Sequence, residues 1–273
     1  MSTQLSHVII VGGGAAGFFG AISAKSSVHP AHPHNYPPVQ VTLLEAARQP
    51  LSKVRVSGGG RSNVTHACFD PAVLVQHYPR GGKALRGAFT RFQPRDTIAW
   101  FEAQGVKLKT EADGRMFPVS DDSETIVGSL MQAATRAGVK IWTGAVVKSV
   151  MRQEEGFQVQ LKSGEALSCD RLLLATGNSP QGYVIAQSLG HQIEPPVPSL
   201  FTFNINDPRL QELAGVSVNA VHLRLQVGEK THLEQIGPLL ITHWGVSGPA
   251  VLKLSAWGSQ SIARQPLSSH VVG

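Results

Sequence analysis

Cysteine is scarce in this sequence. Cys68 and Cys169 are its two thiols, far apart and in no CxxC arrangement, which excludes a disulfide framework and a cysteine-ligated zinc site. No basic leader with a small-residue cleavage site precedes the first apolar run, so a signal peptide is not expected. That run, residues 8–24, carries four glycines by Gly17 and suits a strand, a turn and a helix rather than a membrane span. A cytoplasmic protein with no membrane partner is expected. No internal repeat is visible. A loop at 26–38 brings together His29, His32 and His34, but its four prolines explain a rigid surface loop and no acidic or thiolate residue joins the histidines. No metal site is expected. What the chain does have is bulk: 273 residues, 42% of them hydrophobic, suffice for one large domain with a smaller attachment.

The chain is organised around Val8-Ile9-Ile10-Val11 running into glycines at Gly12, Gly14 and Gly17. The pattern reads as strand, tight turn and helix start. Gly12 meets a backbone angle that a Cβ opposes, Gly14 lets the backbone approach a pyrophosphate, and Gly17 lets helix and strand pack closely. A phosphate then sits on the helix N-terminus, where unpaired N–H groups point outward. A helix at 15–25 and a second apolar strand at 39–44 follow, and the strand ends in Glu45, the acid expected to bind an adenosine ribose. The gap from Gly17 to Glu45 is 28 residues, longer than the compact form of this fingerprint.

Further on, Ser57-Gly58-Gly59-Gly60-Arg61-Ser62-Asn63 reads as an anion-cradling turn with a guanidinium beside it. Helices are expected at 94–104 and 123–137, and a short strand at 106–109. Asp113 to Pro118 reads as turn, cation and apolar plug. Segments 140–142, 145–151, 157–162 and 167–174 read as strands, a β-meander hung between parallel strands. The last of them delivers Ala175-Thr176-Gly177, where a backbone again approaches the cofactor. A helix at 182–189 comes next, and Pro195-Pro196-Val197-Pro198 marks a boundary. Short strands at 201–205, 222–227 and 239–242 and a helix start at 251–256 complete the pattern. The expected fold is α/β: residues 1–196 form a Rossmann-like domain with the meander, and residues 197–273 a smaller β-barrel-like domain with the start of a helical one.

GGGAAG at 12–17, LLE at 43–45, SGGGRSN at 57–63, GRMFP at 114–118, LLLATG at 172–177 and THWGVSGP at 242–249 follow one order. In that order the chain, over residues 7–257, resembles the two-dinucleotide-binding-fold flavoproteins, NAD(P)/FAD-dependent oxidoreductases that include a bile-acid enone reductase and aminoacetone oxidase-like proteins. The resemblance implies FAD in the Rossmann-like domain and an inserted barrel. Gly12, Gly14, Ala16 and Gly17 would hold the pyrophosphate and Glu45 the ribose. Gly59, Gly60, Arg61, Ser62 and Asn63 would face the flavin, Val147 the adenine through its backbone, and Ala175, Thr176 and Gly177 the pyrophosphate again. Three positions depart from the family: it has Cys at Ser62, Asn at His66 and Gly at Leu51, so a thiol role is absent here. Such proteins also continue past the SGP helix to a return segment beside the flavin, so the chain is expected to be C-terminally truncated.

The implied activity is hydride transfer from NAD(P)H through FAD to a small carbonyl-conjugated or imine-like acceptor, or to oxygen. Arg61 reads as a pyrophosphate anchor or as a stabiliser of charge on the flavin. No side chain stands out as a catalytic acid; His66 and His243 qualify by residue type alone. A second class is a flavin-containing RNA-modifying or RNA-binding protein, because residues 48–115 hold twelve Lys or Arg against five Asp or Glu. That stretch lacks a patterned set of aromatics for base stacking. A small-molecule substrate and no nucleic-acid partner are therefore expected, with a solvated basic face or a non-catalytic remnant as the remaining readings.

Overall fold

The structure is a computed structural model and describes residues 6–26, 39–227 and 231–263. It divides into two compact units, Met1–His77 with Gly82–Ile193, and Tyr78–Gly81 with Glu194–Gly273. In the first unit β1 (Ser6–Val11), α1 (Ala15–Ser26) and β2 (Val39–Glu45) start a parallel sheet. Next come α2 (Ser52–Val56), β3 (Thr65–His66), α3 (Pro71–Leu74), α4 (Gly82–Phe89), α5 (Pro94–Ala103), β4 (Leu108–Thr110), β5 (Arg115–Pro118) and α6 (Ser123–Arg136). Then β6 (Lys140–Thr143) enters the parallel sheet, β7 (Val147–Arg152), β8 (Phe157–Leu161) and β9 (Ala166–Cys169) form the meander, and β10 (Arg171–Leu174) leads to α7 (Pro180–Ser188).

The parallel sheet has the order β10-β1-β2-β6. Its central strands are apolar on both faces, as a parallel sheet covered on both sides requires, with Ile9, Ile10 and Leu43 fully buried. From β1 the chain steps to β2 on one side and returns much later to β10 on the other. This makes the carboxyl end of β1 a topological switch point, where open α/β sheets leave a crevice. Registers align the ends: Val11 pairs with Leu44 and with Leu174.

Local hydrogen bonding sets the element boundaries where they depart from the sequence pattern. The single strand expected at 167–174 is two strands in two sheets, because the Asp170 carboxylate accepts the His7 amide at 2.6 Å and hands the chain from β9 to β10. The strand expected from residue 106 begins at Leu108, since the Val106 amide is taken by the Phe101 carbonyl in closing α5. GRMFP holds a strand: β5 lies between β3 and β4 and buries Phe117 completely. The helix over α6 starts where Asp122 accepts the Glu124 amide at 2.9 Å.

In the second unit, β11 (Phe203–Asn204), β12 (Ser217–Val227), β13 (Thr231–Thr242) and β14 (Gly245–Ser247) precede α8 (Pro249–Ala263). Where a barrel-like domain was expected, these strands form an antiparallel sheet in the order β11-β14-β13-β12, and α8 packs on β13 and β12. Leu239, Ile241 and Val251 make its small core. The helix runs beyond residue 256, and along it Ser255 and Ser259 bury their hydroxyls on backbone carbonyls one turn back. The histidine-rich loop at 27–38 and the stretch after residue 263 lie outside the described residues.

Candidate functional site

A cavity of about 1140 Å³ opens at the carboxyl ends of β1, β2 and β10, within the first unit. Three glycines of the turn after β1 have three different reasons. Gly12 sits at φ 112°, and a Cβ there would lie 2.4 Å from the Ala175 carbonyl oxygen. At Gly17 a Cβ would lie 1.9 Å from the Gly12 oxygen, so this residue sets the packing of α1 on the turn and does not line the cavity. Gly14 differs: a Cβ there meets nothing within 4 Å and would stand in the cavity itself. The amides of Gly14, Ala15 and Ala16 have no protein acceptor among the described residues, and they open the first turn of α1. Free amides at a helix start are groups that can hold an anion.

Glu45 closes the other side. Its carboxylate accepts the Gly13 amide at 2.6 Å and the Ala47 amide at 2.7 Å, which fixes it at the tip of β2 with further lone pairs open to the cavity. Gly13 follows from the same contact, since a Cβ there would lie 2.8 Å from the Glu45 Cβ. Ala175, Thr176 and Gly177 line the cavity from β10, and Val147 from the start of β7. Gly182 keeps α7 against this loop, as a Cβ would strike the Thr176 hydroxyl.

The sequence pointed to Arg61 as the cation of the site, but the structure turns it elsewhere. Its guanidinium donates to Glu111 at 2.5 Å and to Asp121 at 3.4 Å and lies 4.1 Å over the Phe117 ring. Lys109 also donates to Asp121, and Arg115 to Glu111 and Asp113. Lys109 first and Arg61 second hold the Asp121 carboxyl below its ordinary range. Gly59, Gly60 and Arg61 do not line the cavity, whereas Ser62 and Asn63 do. The triple glycine instead wraps Phe117: a Cβ on Gly58, at φ 58°, would lie 2.7 Å from that ring.

Lys53, and not Arg61, lines the cavity. Its ammonium donates to the Asn178 side chain, joining α2 to the loop after β10. Lys53 and Glu45 are the two ionisable side chains among the cavity-lining residues. Leu51, also in the lining, is 2% exposed and adopts the left-handed conformation at φ 63°, at a position where the sequence resemblance has Gly. Its amide donates to the Gly13 carbonyl at 2.8 Å, tying α2 to the glycine turn.

His66 is remote from this chemistry. Its ring bonds the Asp113 carbonyl at 3.0 Å and faces His77 at 5.9 Å, and it does not line the cavity. His243 is exposed in the second unit beside Trp244. The described residues hold no group of side chains fit for a metal, and no helix among them is long and apolar enough to cross a membrane.

A parallel α/β sheet with a glycine turn, a strand-end acid and a cavity between them defines a Rossmann-type nucleotide-binding domain. Residues 6–252 match the family of the HI0933-like protein Rossmann domain, and the chain belongs to that family. The ribosomal RNA dihydrouridine synthase of Escherichia coli (strain K12) is 31% identical over 260 residues, which cover 91% of this chain and 60% of that protein. The 3-dehydro-bile acid delta(4,6)-reductase of Clostridium scindens is 29% identical over 259 residues, covering 92% and 60%. A ribosomal RNA dihydrouridine synthase from Haemophilus influenzae is 29% identical over 286 residues, covering 99% and 66%. The chain thus spans 60 to 66% of the length of these curated relatives.

Proposed function

We propose that this chain binds FAD and forms the dinucleotide-binding part of an oxidoreductase that uses NAD(P)H to reduce a carbon–carbon double bond conjugated to a carbonyl. The observation that carries the reading is the space at Gly14: the protein leaves a Cβ-sized opening beside three unpaired amides, between the cavity's one carboxylate and one ammonium. Those residues fit a dinucleotide. Gly12, Gly14 and Ala16, with Ala175, Thr176 and Gly177, would hold the pyrophosphate, and Lys53 would neutralise it. Glu45 would bind the ribose diol, Val147 the adenine edge through its backbone, and Ser62 and Asn63 the ring end. When bound, FAD supplies two-electron chemistry that no side chain here can.

The acceptor class comes from the relatives. A dihydrouridine synthase and a delta(4,6)-reductase are both named for saturating a double bond. A small organic acceptor is one reading. A second, an RNA base as acceptor, is favoured by exposed cations on α4 and in the turn after it. The test of the shared reading is to titrate FAD into the purified chain and then supply NADH or NADPH anaerobically. Bleaching of bound flavin by either nicotinamide is expected; a chain that binds no FAD would refute the reading.

A further inference from the structure

The basic stretch at 48–115 falls into two parts. Arg61, Lys109 and Arg115 are neutralised by Glu111, Asp113 and Asp121. The other part is not neutralised. Between Pro71 and Arg95 the sequence contains no acidic residue, and Lys83, Arg86 and Arg91 are exposed with no ion pair among the described residues. The acids at the two ends are turned to the backbone: Asp70 accepts the Ala72 amide at 2.8 Å and Asp96 the Gln93 amide at 2.8 Å.

Lys83 and Arg86 stand three residues apart on α4 and therefore share one face. Helical hydrogen bonding continues past α4, the Phe92 amide reaching the Ala88 carbonyl at 2.9 Å, and this following turn holds a third exposed cation, Arg91. Two rings accompany it, in a stretch where the sequence suggested no patterned aromatics. Phe69 is 39% exposed, with the Arg95 guanidinium 5.3 Å from its centroid. Phe92 is 41% exposed, packs against Phe19 at 5.2 Å and lines the cavity. The cationic row thus ends at the cavity's rim.

We propose that α4, with Arg91 and Phe92, is a docking face for single-stranded RNA, the cations tracking phosphates and the Phe92 ring stacking a base at the cavity mouth. It rests on the reading that an RNA base is the acceptor. Unpaired cations interleaved with open rings are the recognition chemistry of single strands. A lipid surface fits less well, because the bulky apolar side chains of α4, Leu85 and Phe89, are half-buried, and its exposed positions carry no large apolar residue to insert.

The test is fluorescence anisotropy of the chain with a labelled uridine-rich single-stranded RNA over a series of salt concentrations. Each phosphate neutralised on a single strand contributes roughly 0.7 to the log–log salt slope, so three cations give a slope of about −2. Charge reversal at Lys83→Glu, Arg86→Glu and Arg91→Glu together is expected to abolish that slope and weaken binding at least about tenfold, while FAD affinity is unchanged. Phe92→Ala is expected to weaken RNA binding roughly tenfold with the salt slope retained. Wild-type RNA affinity in the triple variant would overturn the proposal, as would anionic vesicles bound in place of RNA. RNA failure with FAD binding intact removes only this inference; RNA binding with no FAD binding removes the flavin reading instead.

Discussion

The three glycines of the turn separate folding from ligand binding. Gly12→Ala places a Cβ 2.4 Å from a carbonyl oxygen at φ 112°, and Gly17→Ala places one 1.9 Å from another. Both obstacles are backbone, which cannot swing aside as a side chain can, so each substitution should cost about 3 kcal/mol. For a unit of this size that lowers the melting midpoint by roughly 6–12 °C. The Cβ of Gly14→Val meets no protein atom within 4 Å, and the variant should stay within about 1 kcal/mol of wild type, the range of substitutions at a helix start. Its branched side chain would occupy the space beside the free amides. Loss of two hydrogen bonds to a charged phosphate is worth about 3 kcal/mol, roughly a hundredfold in Kd. Thermal melts and FAD titrations of the three variants give the answer. A Gly14→Val protein that melts with Gly17→Ala, or one that binds FAD as wild type does, would refute the assignment of that space to the ligand.

Three further outcomes follow from single residues. Lys53→Met should weaken ADP binding about tenfold, a partly screened charge interaction, with adenosine affinity unchanged; equal losses for both ligands would place Lys53 away from the phosphates. At Leu51, Ala loses buried contacts worth about 2–5 kcal/mol, and Gly loses them too but relieves a left-handed residue by about 1 kcal/mol. Leu51→Gly should therefore resist urea better than Leu51→Ala, the reverse of the usual order. In the second unit, Asp207 is pulled down to about 2 by its hydrogen bonds from the Arg209 side chain and amide. A carboxyl with a depressed folded-state value stabilises above its unfolded value, near 3.8, and loses that contribution as pH falls toward 2. Carboxyl NMR titration should show Asp207 near pH 2 and a return toward ordinary values in Arg209→Ala.

The parallel sheet was legible because its determinants are local. Four β-branched residues before Gly12, and two leucines before Glu45, announce buried strands and the turns that end them. The choice between Arg61 and Lys53 was not legible. Both cations stand near the triple glycine, and what decides is Glu111 and Asp121, fifty and sixty residues away, which reach Arg61 through β4 and β5. The same distance hid β5, whose partners β3 and β4 lie on either side of it in the sheet, with α3, α4 and α5 between β3 and β4 in the chain. The break at Asp170 depended on the His7 amide, 163 residues earlier in the sequence. In the second unit the hairpin of β12 and β13 is longer than its apolar pattern, because its alternating polar positions face outward.

The central claim is that the cavity at the ends of β1, β2 and β10 is a dinucleotide site. The direct measurement is a calorimetric titration of FAD into the folded wild-type chain, repeated with saturating ADP. Saturable binding of one FAD per chain that ADP displaces and Gly14→Val weakens roughly a hundredfold is the predicted result. Absence of FAD binding by the folded chain, or binding that neither ADP nor the Gly14 substitution disturbs, would contradict it.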